Sequence, residues 1–111
     1  MSLAAVYVTF PDMDTARRVS RELVEKSYVA CANLFTQVTS IYEWEGKIEE
    51  DAEVILIGKT RMRDVPKVIA AVTELHPDDV PCVTAMPVLK ANPPYAEWVE
   101  EICARSDEGE A

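Results

Sequence analysis

The stretch Ser40 to Thr60, SIYEWEGKIEEDAEVILIGKT, constrains this chain more than any other. Two β-forming runs flank Gly46, a residue suited to a tight turn, so the segment reads as a hairpin. Its return run carries the dense apolar core VILIG, and its outgoing run reaches back to about Val29. A strand of about 14 residues spans roughly 45 Å at about 3.3 Å per residue. A domain of this length measures only about 35 Å across. The hairpin is therefore expected to overhang its own domain, even with a bulge around Phe35 to Thr39. Ile41, Tyr42, Trp44 and Ile48 stand near its end and predict one exposed apolar patch that needs a partner. Overhanging strands also expose backbone groups, which proteins cover, charge or pair. Another copy of the chain is the economical cover, in a heterologous contact that closes a ring, with the number of copies left open. A bent hairpin whose rings fold back onto a C-terminal helix, beside Trp98, is the competing expectation.

The remaining elements follow from periodicity. Ala4 to Phe10 reads as a buried strand ended by Pro11, and Asp12 or Asp14 can cap the helix that follows. In that helix Ala16, Val19, Leu23 and Val24 form an apolar stripe, while Arg17, Arg18 and Arg21 face water. Asp64 opens a second helix with Pro66 in its first turn and Val65, Val68, Ile69, Val72 and Leu75 on its buried face; His76-Pro77 closes it. Cys82 to Val88 reads as a fourth strand, and Tyr95, Trp98, Val99 and Ile102 mark a short last helix. The order β-α-β-β-α-β plus a helix predicts an α+β, ferredoxin-like split βαβ: one antiparallel sheet with two helices on one face. Residues 1–111 read as one domain, with 106–111 a disordered tail.

Charge and cysteine content exclude several classes. Lys and Arg number 11 against 20 Asp and Glu, a net charge of −9, which disfavours nucleic acid and anionic membrane surfaces as partners. No apolar run approaches the length of a membrane span, and no basic, long apolar leader precedes Pro11. Cys31, Cys82 and Cys103 are odd in number and lack C-x-x-C spacing, which fits a reducing compartment. The chain is expected to be cytoplasmic.

Several blocks carry a further resemblance. ACANLF at Ala30 to Phe35, SIYEWEGKI at Ser40 to Ile48, KT at Lys59-Thr60, HP at His76-Pro77 and YAEW at Tyr95 to Trp98 stand in this order, with Glu53 before the apolar strand. Over about Ala4 to Cys103 the chain resembles the divalent-cation tolerance (CutA) family. The resemblance implies a homotrimer whose extended hairpins seal sheets between subunits, an architecture like that of the PII signalling trimers. It also implies a non-enzymatic role in tolerance of divalent metals, with copper binding ascribed to some members. Val8 and Leu75 occupy the cysteine and first-histidine positions of the copper site found in some bacterial members. Asp78-Asp79 and Cys82 replace the family's usual aromatic-acidic pair and a later glutamate.

Candidate chemistry rests on few residues. His76, the one imidazole, can cap its helix, or join Cys82 and Asp78 or Asp79 as a mixed ligand set suited to copper or zinc. Cys31 is a third metal candidate, although a free cysteine more often packs as a small hydrophobe. One chain clusters too few ligands, so a competent metal site is expected between subunits. Glu53 and Lys59 share strand parity with Ile55 and Ile57, and with Tyr42 and Trp44 they outline a ligand cleft; a salt bridge at a subunit interface explains them nearly as well. The acids around Glu45 to Glu53 read as a solvated edge. IGKT mimics the end of a phosphate-binding loop, but Glu53 stands where the pattern requires glycine. No hydrolase triad is present. The expected function is a non-enzymatic homotrimer that binds or buffers divalent metal, copper foremost; the alternative is a PII-like sensor binding a metabolite between subunits.

Overall fold

The computed structural model describes residues 2–109. The chain runs β1 (Leu3–Phe10), α1 (Met13–Glu25), β2 (Cys31–Trp44), β3 (Lys47–Arg61), α2 (Val65–Leu75), β4 (Val83–Val88) and α3 (Pro93–Ala104). Short 3-10 turns occupy Met62–Asp64 and Arg105–Gly109. The four strands form one antiparallel sheet in the order β2-β3-β1-β4, the ferredoxin-like order expected from the pattern. Among the described residues no helix is long and apolar enough to cross a membrane.

Alternation along the strands places the core. Val6, Val8 and Phe10 of β1 and Val54 and Leu56 of β3 are buried against Ala16, Val19 and Leu23 of α1 and Val68 and Val72 of α2. Each fully buried Val or Leu contributes about 1.5–3 kcal/mol relative to exposure. Asp12 caps α1 through its carboxylate, which accepts the Thr15 backbone N–H at 2.7 Å. A second cluster packs Val99 and Cys103 of α3 on Leu3 and Ala30. Burial pushes the Cys103 thiol pKa upward.

Two expectations change. Val24 is 38% exposed, because the stripe that meets the sheet narrows to Ala16, Val19, Ser20 and Leu23. The segment from Ser106 onward, expected to be disordered, is a helical turn as far as Gly109, and residues 110 and 111 lie outside the described residues. Its anchor is Arg61. That guanidinium, 2% exposed, meets Asp64 at 2.6 Å, Asp107 at 2.7 Å and Glu100 at 3.4 Å, while the Ser106 hydroxyl returns to the Cys103 carbonyl at 2.8 Å. Asp64 precedes α2 without capping it, because its carboxylate is turned to Arg61.

Candidate functional site

The β2–β3 hairpin is long and open. Trp44 pairs with Lys47 around a turn at Glu45 and Gly46, both with positive φ, and the molecule extends 44 × 31 × 22 Å. Between the pairs Phe35–Ile55 and Val38–Glu53, β2 has one residue more than β3, with Gln37 at φ 61. This bulge decides where the rings go. One extra residue reverses the parity of everything beyond it, so Tyr42 and Trp44 share a face with Asp51 and Glu53. Ile41 and Ile48 fall on the opposite face. The single apolar patch expected at the tip is thus two surfaces, with Tyr42 39%, Trp44 50%, Ile41 64% and Ile48 71% exposed.

The ring-bearing face lines a groove of about 610 Å³ whose far wall is Pro11, Pro77, Asp78, Asp79 and Val80. Asp51 and Glu53 complete the near wall. The Tyr42 hydroxyl donates to the Asp51 carboxylate, and the Ser40 hydroxyl donates to Glu53 at 2.9 Å. Holding its proton against Asp51, with Glu49 and Glu53 nearby, pushes the Tyr42 phenol up to about 12. Trp98 has a different neighbour: its ring lies against Tyr95, centroids 5.7 Å apart. The arm rings therefore do not fold back beside Trp98 on the last helix.

Of the expected cleft residues, Tyr42, Trp44 and Glu53 come together and Lys59 does not. Lys59 shares a face with Glu53 but stands six residues along β3, about 20 Å at 3.3 Å per residue. It pairs with Cys31 instead. Gly58, in the stretch that mimics a phosphate loop, is a strand residue. A Cβ there would meet Val29 Cγ1 at 3.2 Å, so close strand packing explains the glycine.

Cys31 stands apart from the other two metal candidates, whereas Cys82 and His76 meet the same residue, Thr9, through the Cys82 carbonyl and His76 Nε2. The His76 side chain is fully buried and stacked on Phe10. Its Nε2 lies 2.6 Å from the Thr9 carbonyl, and its Nδ1 accepts the Asp78 N–H at 3.1 Å. A carbonyl needs a donor and an amide needs an acceptor, so both nitrogens of a neutral imidazole are already committed. Cys31 lies near Lys59 and Thr9 pairs with Ile55, four residues away along β3, or about 13 Å. The Cys31 thiol is 3.1 Å from the Tyr95 hydroxyl; burial and this contact push the Tyr95 phenol up to about 12. Cys82 is exposed. Among the described residues no group of three or more His, Cys, Asp or Glu side chains is gathered to hold a metal. His76, Cys31 and Cys82 thus form no site within one chain.

Arg61 is the residue the pattern missed. An arginine at a strand end ordinarily reads as solvated, and its three acidic partners are scattered from Asp64 to Asp107. Only the pairing of β3 with the docked C-terminal turn brings them together.

Comparison with known proteins agrees with this architecture. Protein CutA of Mus musculus is 46% identical over 101 residues, 91% of this chain, although the match spans 57% of the mouse protein. The divalent-cation tolerance protein CutA of Thermococcus kodakarensis is 42% identical over 102 residues, covering 92% of this chain and 97% of its own length. The crystal structure of CutA from Xylella fastidiosa superposes with a TM-score of 0.90 at 31% identity, over 93% of this chain and 99% of that one. The family model described as CutA1 divalent ion tolerance protein matches residues 4–102. With the sheet order and the overhanging arm in agreement, the chain belongs to the CutA1 divalent ion tolerance family.

Proposed function

We propose that this protein is a non-enzymatic, cytoplasmic homotrimer that contributes to divalent-cation tolerance by binding metal ions at sites completed between copies. The observation that carries the reading is the arm. It holds Tyr42 and Trp44 over an acidic groove and leaves both faces of its tip half open. The sheet adds to the need for a partner. On the face away from α1 and α2, Phe35 and Met86 are 48% and 49% exposed, an unpartnered apolar surface. A second and third copy would cover arm and sheet together in a closed heterologous ring.

Metal binding then needs ligands from more than one chain. Asp51, Glu53, Asp78 and Asp79 supply oxygen donors around the groove. Cys82 is the most exposed of the three thiols and the one most open to donors on another copy. A thiol among carboxylates favours copper or zinc over magnesium. Three free thiols suit a reducing compartment.

The metabolite-sensor alternative loses support here. The described residues lining the groove carry four carboxylates and no lysine or arginine, a lining that repels anionic metabolites. Equilibrium dialysis against copper, zinc and cobalt tests the proposal. Saturable uptake at micromolar metal, reduced in Cys82→Ser and in Asp78→Asn/Asp79→Asn but retained in Cys31→Ser, is the expected result. Absence of saturable uptake would overturn it.

A further inference from the structure

On a chain of net charge −9, α1 presents Arg17, Arg18 and Arg21 within about one turn, and none of the three forms an ion pair among the described residues. They border a groove of about 670 Å³ between α1 and β2, the edge strand of the sheet. Val24, Ala32 and Leu34 give this groove an apolar wall, and Glu25 is its one carboxylate. Ser20 also lines it, 5% exposed, and its hydroxyl is buried without a hydrogen-bond partner among the described residues. A serine inside a helix ordinarily settles its hydroxyl on the carbonyl one turn back; Ser20 does not. An unpaired buried hydroxyl is costly to maintain, and most such groups in folded proteins are satisfied.

We propose that this groove binds a small organic phosphate. Guanidinium forks match phosphate oxygens in geometry, and a phosphate monoester carries enough negative charge to balance clustered arginines. On a helix Arg17 and Arg21 stand four residues apart, so both can reach one phosphoryl head. Ser20 lines the same groove, and its unpaired hydroxyl is the further donor the site offers to those oxygens. The groove is larger than inorganic phosphate requires and lies in the size range of small-ligand sites. Val24, left exposed on an otherwise amphipathic helix, and Leu34 would receive the ligand's apolar body. The site is separate from the acidic groove under the arm, with which it shares no residue. Its test is therefore independent of metal binding.

The full chain titrated with phenyl phosphate, inorganic phosphate and benzoate, followed by calorimetry and amide NMR, tests the assignment. Phenyl phosphate should saturate, bind about tenfold tighter than inorganic phosphate or benzoate, and shift the amides around Ser20, Val24 and Leu34. Arg17→Ala/Arg21→Ala should weaken it about tenfold or more, and Ser20→Ala about threefold, with thermal midpoints near that of the parent. Several results would overturn the site. These are no saturation by about 10 mM, shifts mapping elsewhere, equal affinity for inorganic phosphate, or binding unchanged in the arginine variant. Intermolecular contacts from another copy to Leu34, seen in a mixed-label sample, would show that the groove is an interface and would equally overturn it.

Discussion

The imidazole of His76 lies on the phenyl ring of Phe10, with centroids 4.9 Å apart and planes 13° from parallel. The ring ties the end of α2 to the end of β1, through the Thr9 carbonyl on one side and the Asp78 amide on the other. His76→Ala removes a stacked ring and two part-buried hydrogen bonds, and should destabilise the fold by about 2–4 kcal/mol. Metal uptake per folded chain should be unchanged. Urea denaturation beside dialysis on the same sample checks both, and a stable variant that loses metal would refute the structural role.

Arg61 carries a comparable load at the opposite end of β3. Replacing it with methionine leaves buried Asp64 with only the more distant Lys67 ammonium, at 3.8 Å, and should cost about 3 kcal/mol. Asp107→Asn should do far less to global stability and instead release the C-terminal turn, visible as faster amide exchange at 105–109.

The same pair sets a dependence on acid. Hydrogen bonds from Arg61 hold the Asp107 carboxyl below its ordinary value of 3.8. A depressed carboxyl contributes stability that is fully present above the unfolded pKa and is lost as pH falls through the folded one. The turn should stay docked at neutral pH and detach only below about pH 3.8. NMR of the Ser106 amide during acid titration follows this directly; release above pH 5 would contradict it.

Tyr42 offers an optical check of the arm. Its phenol, pushed up to about 12 by Asp51, should ionise after an ordinary tyrosine in an alkaline titration read by phenolate absorbance. Asp51→Asn should return one tyrosine to near 10, and Tyr42→Phe should leave Tyr95, also pushed up to about 12, as what remains of the late-titrating component.

How much of this was legible from residue order varies with the range of the interaction. The strands and helices follow from local apolar periodicity and from caps such as Asp12, so their order and the sheet topology could be read directly. Tyr42, Trp44 and Glu53 were legible as one cleft, because they sit near a single turn. Lys59 was misplaced since shared parity says which face a residue occupies but not how far along it lies. Ile41 lies opposite the rings by simple alternation, but the bulge at Gln37 has no glycine to announce it, so the cross-strand register that places Ile48 opposite them was hidden. The Arg61 cluster was invisible for another reason: its partners meet only through tertiary docking. Ser27, at φ 60 just after α1, is hidden backbone strain of the same kind. Ser27→Gly should stabilise the fold by about 1 kcal/mol in thermal or urea unfolding.

The arm's apolar tip yields the sharpest substitution. Trp44→Glu together with Ile48→Glu should leave the single-chain fold intact, since neither side chain belongs to its core. It should weaken assembly by about 2–4 kcal/mol per contact, as loss of a buried anchor does at an interface.

Sedimentation equilibrium of the unaltered protein across serial dilution, with Trp44 fluorescence read on the same samples, tests whether this chain is finished only by its own copies. The expected result is one species of three times 12.4 kDa with shielded tryptophan emission, giving way to smaller species in the double glutamate variant. A folded species of 12.4 kDa that persists at every concentration would contradict it.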